Sequence, residues 1–337
     1  MKKCLFVSTI HSVFKEPVEK AFERAGFEVI FFDYRDHPFL ARDNILRKVL
    51  AKLPVALRNK VYQLAEISIN RNLMRLAREH KPDLIFVIKA KELTPDTLEV
   101  LKTIAPTANW YPETVDHWNG IISAAPHYTY FFTFDQLVID MLAKEGIDNA
   151  HYLPFCGDVL PSDTWPQDHT SLKHDVVFIG SYHSERSDRE LILAKVKDFG
   201  LNIWGSKAWQ DTSLKSFYRG TISNDDMMEV YRTSKIVINH YITGLPGSGI
   251  NLRPFEVTGC GALLINHDVR SDIFKHFKDG EEFIAFSGED DIRAKVSYYM
   301  EHEEERRRVA RNGFLRTQRD HTYDIRIAEV LKVMGLR

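Results

Sequence analysis

Two apolar runs, Lys235-Ile-Val-Ile-Asn-His-Tyr-Ile242 and Gly261-Ala-Leu-Leu-Ile-Asn266, read as strands of an α/β core. The link between them opens with Gly244, Gly247 and Gly249, a loop in which backbone can approach a ligand closely. A short helix is expected next, over roughly 251–258, ended by Gly259. A glycine loop feeding a helix N-terminus suits an anion, because unpaired N–H groups and the dipole both point at it. Arg253 in the first turn opposes that dipole by roughly a few tenths of a kcal/mol, so a bound anion would give it a reason. The alternative is an ordinary strand–turn–helix–strand unit with a surface arginine.

At 337 residues the chain should hold two domains, each with its own core. A net charge of −2 gives no general attraction to nucleic acid or membrane. Cys4, Cys156 and Cys260 lie far apart without a Cys-x-x-Cys pair, which suits buried thiols in a reducing cytosol and argues against zinc. Met-Lys-Lys-Cys4 opens a strand rather than a signal peptide, since the apolar run stops at Ile10. No apolar run approaches the length of a transmembrane helix, so a cytoplasmic protein is expected.

A strand over Cys4–Ile10, a loop to Pro17, a helix over 18–25 and a strand over Glu28–Asp33 announce a parallel sheet. The first loop lacks Gly-x-Gly-x-x-Gly, so this half is not a dinucleotide site. From Arg42 to Lys81 the chain reads as helical, with ten Lys and Arg against three acids, a net +7. That is either a solvated helix face or a surface that meets anionic lipid, peripherally at the inner membrane face, or another polyanion. Further strands are expected at Asp83–Ile88, Ala108–Tyr111, Tyr128–Phe134 and His151–Phe155, with Pro112–Trp118 as a loop. Residues 157–173 read as an interdomain linker.

A second series of strands and helices follows, from His174–Gly180 to Glu282–Phe286, with Ser223 or Asn224 capping a helix to Thr233. The expected organisation is an N-terminal Rossmann-like domain over 1–156 and a C-terminal one over 174–320. A final helix, 321–337, could pack back on the first domain. Two such halves imply a ligand in the cleft between them, at the carboxyl ends of both sheets.

Gly180-Ser181 repeats the strand–glycine–loop–helix device, with Arg186 and Arg189 close behind. Two such loops on neighbouring strands point to a diphosphate, which the planar arginine fork suits. Glu256 could accept hydrogen bonds from a ribose diol, or be an ordinary helix-surface glutamate.

The run Asn251-Leu-Arg-Pro-Phe-Glu-Val-Thr-Gly-Cys-Gly-Ala-Leu-Leu264 resembles the CgeB-like family (spore maturation protein B type) of GT-B glycosyltransferases. It is also similar to the Glu-Ala-x-Ala-Cys-Gly signature of the wider group 1 glycosyltransferases. Val177-Phe-Ile-Gly-Ser-Tyr182 with Glu185-Arg186, Ile203-Trp-Gly205, Tyr218-Arg-Gly220, Asp279-Gly-Glu-Glu-Phe283 and His321-Thr-Tyr-Asp-Ile-Arg326 match in order. The resemblance implies a GT-B fold, with a nucleoside-diphosphate-sugar donor as co-substrate held by the C-domain and an acceptor held by the N-domain. It implies Glu256 at the ribose, Arg186, Asn251 and Arg253 by the diphosphate, and Tyr218 to Gly220 by the base. It also implies metal-independent chemistry, with arginines and helix dipoles stabilising the leaving group. Ser248 stands where the wider group has a second acid, touching the sugar.

Gly180, Ser181, Gly205, Gly220, Ser248 and Gly249 complete the expected donor site. Acceptor-side candidates are His11, after the first strand, and Glu113, Asp116 and His117, after Trp110. Asp116 is the first candidate for the base, with His117 beside it, and His11 the second. Trp110, Tyr111 and Trp118 are either a sugar platform or core packing, and His240 reads as packed. The expected enzyme moves a sugar to a hydroxyl of an envelope, spore or polysaccharide glycan, on a glycan, lipid-linked or protein acceptor; the net charge argues against nucleic acid. Its rivals are a nucleotide-sugar epimerase of GT-B architecture and a nucleotide-sugar-binding protein without turnover.

Overall fold

A computed structural model describes residues 1–39, 50, 52–158, 172–183, 188–242, 244 and 246–336. The chain divides into two compact units, residues 1–153 with 327–337, and residues 154–326. Most of the expected linker, and Arg42, Arg47 and Lys48 of the basic segment, lie outside the described residues.

Unit 1 holds six parallel strands: β1 (Lys2–Ser8), β2 (Phe27–Asp33), β3 (Leu84–Ile88), β4 (Thr107–Trp110), β5 (Tyr130–Thr133) and β6 (Ala150–Tyr152). Their order is β2-β1-β3-β4-β5-β6. Residues alternate between faces along each strand, and both faces of the central strands are apolar. Leu5, Val7, Ile85 and Val87 share one core with Ile69, Leu73 and Ala77 of the helix Val55–His80. The intervening Phe6 and Phe86 pack with each other, and Phe22 of the helix Lys15–Arg24 meets Phe86 at 5.1 Å.

That helix begins earlier than the sequence suggests, with Pro17 inside its first turn. The missing N–H of a proline costs nothing there, because first-turn amides have no intrahelical acceptor. Nor is Pro112–Trp118 wholly a loop: a 3₁₀ turn at Val115–His117 runs into a helix, Trp118–Ala124.

Unit 2 holds β7 (His174–Ile179), β8 (Leu201–Trp204), β9 (Tyr218–Gly220), β10 (Ser234–Asn239), β11 (Leu263–His267) and β12 (Ile284–Phe286). The order is β12-β11-β10-β7-β8-β9, all parallel. The chain therefore builds outward from β7 to β9, returns to the far side of β7, and builds outward again from β10. Loops after β7 and β10 leave in opposite directions, and open α/β sheets bind ligands at such a reversal. Ser223 caps the helix Asn224–Arg232 by accepting from the Asp226 amide at 3.2 Å. The chain ends in the helices Glu289–Glu301, Glu303–Asp320 and Tyr323–Val333. The expected class, two Rossmann-like units with a helical C-terminal segment, is the one observed.

Candidate functional site

Ile236–Ile238 of β10 and Leu263–Ile265 of β11 are apolar, and at the carboxyl ends that follow Asn239 and Asn266 stand opposite each other in register. Both are fully buried, so their amides must find partners within the protein. Asn239 donates to Asn266 Oδ1 at 2.7 Å and exchanges amide contacts of 3.2 and 3.3 Å with Asn251. Arg253 donates Nη1 to Asn239 Oδ1 at 3.3 Å and Nε to the Tyr231 hydroxyl at 3.1 Å. The fork is thus fixed from two sides. One turn on, Glu256 is 9% exposed, and burial pushes its carboxyl up to about 7 against the pull of Arg253.

Arg189 approaches the same edge from the helix Asp188–Ala194. It donates Nη1 to Ser181 O at 2.5 Å and Nη2 to His240 O at 2.8 Å, while its Nε is buried without a partner among the described residues. Burial, and then the charge of Arg253, hold its pKa down to about 10. It is still charged at neutral pH. Two guanidiniums that repel each other in a partly desolvated place are an arrangement that an anion relieves.

The glycine loop is held from beneath. Buried Arg270 donates to the Gly247 carbonyl and, at 2.8 Å, to that of Pro246, and the Asp272 amide donates to Ser248 O at 3.2 Å. Gly244 (φ +76°) and Gly247 (φ +99°) take the left-handed turns this path needs. Gly249 and Asn251 continue the same segment into the helix Arg253–Gly259.

Gly180, Gly205 and Gly220 act through their backbones. The Gly180 amide donates to Trp204 O, and that of Gly205 to Gly220 O. A Cβ at Gly205 would sit 2.1 Å from Gly180 O, and φ there is +146°. Three strand ends are thereby drawn together, with the Tyr218 hydroxyl on Gly205 O at 3.2 Å. Arg186 lies outside the described residues. His240 is packed, its ring stacked on His267 at 4.6 Å, and burial drives its pKa to about 3.

Unit 1 has a pocket of about 310 Å³ lined by Lys91, Tyr111, Asp116, His117, Trp118, Asn119 and Gly120. The 3₁₀ turn after β4 brings Asp116 and His117 into it together. His117 Nδ1 lies 3.4 Å from Glu113 Oε2 and 3.6 Å from Asp116 Oδ2, and Asp116 accepts from the Thr114 hydroxyl. Glu113 is ion-paired with Lys89, whose ammonium is held below its ordinary pKa by burial and then by Lys91 and Arg35. Lys89 (φ +62°) and Ala90 (φ +48°) put this bend in the left-handed region without glycine.

Trp110 is 1% exposed and packs on Phe14, so it belongs to the core, whereas half-buried Trp118 faces the pocket. His11 is exposed after β1 and does not line the pocket. Sequence reasoning missed Tyr231, Asn239, Asn266 and Arg270. A polar residue closing a buried apolar strand is the signal that could have found the two asparagines. Among the described residues, no group of three or more His, Cys, Asp or Glu side chains is placed to hold a metal ion.

Two parallel six-stranded α/β units with C-terminal helices are the fold of the GT-B glycosyltransferases. Residues 186–332, most of unit 2 and beyond, match the family described as Glycosyl transferase-like. Anabaena HepE, solved with UDP and glucose, is 12% identical, with 99% of this chain and 100% of that one covered and a TM-score of 0.65. A sucrose-phosphate synthase from Thermosynechococcus elongatus is 11% identical, with 99% of each chain covered and a TM-score of 0.66. A glycosyltransferase from Rickettsia africae is 11% identical, covering 98% of this chain and 97% of its own, with a TM-score of 0.61. At these identities the likeness is one of fold. No curated protein matches the chain.

Proposed function

We propose that the chain is a GT-B glycosyltransferase that takes a sugar from a nucleoside diphosphate and gives it to a hydroxyl acceptor. The observation that carries this reading is the pair of arginines, Arg189 and Arg253, converging beside buried Glu256 at the sheet reversal of unit 2. All three lie inside the Glycosyl transferase-like segment. Anabaena HepE has been solved with UDP-glucose, which makes a uridine diphosphate sugar the first donor to test. The run from Asn251 to Leu264 narrows the family reading to the CgeB-like group.

Arg189 and Arg253 meet the diphosphate, and Asn251 adds an amide beside them. Tyr231 and Asn239 hold the Arg253 fork in place before the ligand arrives, so little reorganisation accompanies the reaction. Ionised Glu256 accepts from the ribose hydroxyls, and Tyr218 to Gly220 lie by the base. Ser248 offers the sugar a hydroxyl where the wider group offers a carboxylate.

The acceptor lies in the unit 1 pocket, with Trp118 against its apolar face. In an inverting transfer the acceptor oxygen bonds to the anomeric carbon as the bond to the diphosphate breaks. The acceptor proton passes to Asp116, oriented by His117, and the new negative charge on the diphosphate is met by the arginines without a metal ion.

The test is incubation of the purified protein with UDP-glucose and other nucleoside-diphosphate sugars, with and without glycan, lipid-linked and protein acceptors. Release of free nucleoside diphosphate, reduced in Arg253→Ala, is expected. An isomerised donor would make the protein an epimerase, and tight binding without any product would make it a binding module.

A further inference from the structure

We propose that the solvent face of the helix Val55–His80 docks on the surface of an anionic lipid bilayer. The helix is 26 residues long and buries one side in the unit 1 core through Ala65, Ile69, Leu73 and Ala77. A helix of a water-soluble unit ordinarily turns a polar stripe outward. Here that stripe also carries apolar side chains. Leu57 (49% exposed), Leu64 (60%) and Ile67 (46%) stand on the opposite side, at a spacing of seven and three residues.

At about 100° per residue, Lys60, Arg71, Arg75 and Arg78 fall in the same arc as those three apolar side chains. All four cations are exposed, and of the helix's own acids the nearer to that arc is Glu79, 3.3 Å from Arg75. The outer face is therefore apolar near the start of the helix and cationic toward its end, with Lys60 set among the leucines.

The combination selects the partner. A nucleic acid would reward the cations and leave the leucines in water. A second copy of the chain meeting this face to face would set like charges against each other. An anionic bilayer satisfies both halves: leucine and isoleucine enter the headgroup boundary while lysine and arginine stems reach the phosphates. No helix among the described residues is long and apolar enough to cross a membrane, so the contact is peripheral. It needs no donor or acceptor chemistry and stands apart from the proposed transferase activity.

The test uses the whole chain with vesicles of phosphatidylcholine alone and with 30% phosphatidylglycerol. Cosedimentation with the anionic vesicles only, released as salt rises, is expected. Leu64→Ser with Ile67→Ser, and separately Arg71→Glu with Arg78→Glu, should each lower the partition coefficient by at least about tenfold, the charge reversal the more. Because Cys4, Cys156 and Cys260 are all buried, Leu64→Cys gives one accessible thiol for an environment-sensitive dye, whose emission should shift to the blue on anionic vesicles. Equal binding to both vesicle types, no binding at low salt, or an unshifted dye on bound protein would each overturn the proposal. Thermal melts of the variants, unchanged if they fold, keep a lost contact distinct from a lost fold.

Discussion

At the carboxyl edge of the unit 2 sheet, Asn239, Asn266, Asn251, Tyr231 and Arg253 bond to one another. The corresponding edge of unit 1 holds its charges in pairs, Lys89 with Glu113, Arg35 with Glu92, and His117 near Glu113 and Asp116. A buried amide network cannot shift one member without stranding another, at about 1–3 kcal/mol for each group left unsatisfied. Ion pairs at half-exposed positions are worth roughly 0–1 kcal/mol and can be exchanged. The unit 2 edge is built before any ligand arrives, and the unit 1 edge can adjust. On the proposed function, this makes the enzyme strict toward its donor and tolerant toward its acceptor.

The largest expected effect lies on the adjustable side. Asp116→Asn keeps the shape of the pocket but removes the base, and should cut kcat by about 10²–10⁴-fold with donor affinity unchanged. Steady-state rates with isothermal titration of the donor separate the outcomes. A fall in acceptor affinity alone would leave Asp116 a positioning residue.

Next comes a pair of glycines. Gly205→Ala would press a Cβ to 2.1 Å from a backbone oxygen at a positive φ, and should destabilise unit 2 by on the order of 3 kcal/mol. Gly120→Ala, in a helix of unit 1, meets only the end of the Tyr111 side chain at 2.9 Å, and should cost less than about 1 kcal/mol. Urea denaturation of the two variants measures both. Similar midpoints would mean that the unit 2 edge is no more rigid than that of unit 1.

Arg253→Ala removes a charged hydrogen-bonding group from the prebuilt edge and should weaken nucleoside diphosphate binding by roughly 1.5–3 kcal/mol. Arg253→Lys should recover little of it, since an ammonium cannot reach Tyr231, Asn239 and a diphosphate together. Full recovery by lysine would argue against a preset fork.

The smallest effect is in pH. Burial lifts Glu256 from 4.5 to about 7, so the unfolded chain ionises this carboxyl before the folded one does. Its contribution to stability is complete below pH 4.5 and is lost as pH rises through 7. A ribose hydroxyl favours the ionised form, so ribonucleotide affinity should rise a few-fold from pH 6 to 8. Glu256→Gln should flatten that rise, and a 2′-deoxynucleotide should show less of it. An identical profile in the variant would take Glu256 away from the ribose.

Much of the fold was legible, because buried parallel strands are written as apolar runs such as Cys4–Val7 and Ile236–Ile238. The parallel class of both sheets follows from the alternation of strand and helix. Arg253 and Glu256 could be singled out because their loop, helix and glycines are contiguous. Their partners were harder, since Tyr231 lies 22 residues from Arg253 and Asn239 lies 14. The packing of the helices Asn224–Arg232 and Arg253–Gly259 against each other beside β10 brings such residues together. Lys89 and Ala90 carry no local sign of left-handed backbone, as glycine would have, and their bend is set by tertiary contacts. Asn109 Nδ2 donates to Lys89 O there, and Asn70 ties Glu92 and Thr94 to the long helix.

Unit 1 is not continuous in the chain: its residues 327–337 come after the whole of unit 2. Ile327, Val330 and Leu331 are buried, and Lys2 Nζ donates to Leu336 O at 2.8 Å. During synthesis, then, the first six strands leave the ribosome before the segment that completes their unit exists. At about 5–20 residues per second, the intervening 154–326 takes roughly 10–35 seconds to make. Unit 2 can fold as soon as it has emerged, while unit 1 waits with apolar surface uncovered. That interval is when a chaperone would have most to hold, and when truncation after unit 2 would leave a chain prone to aggregate.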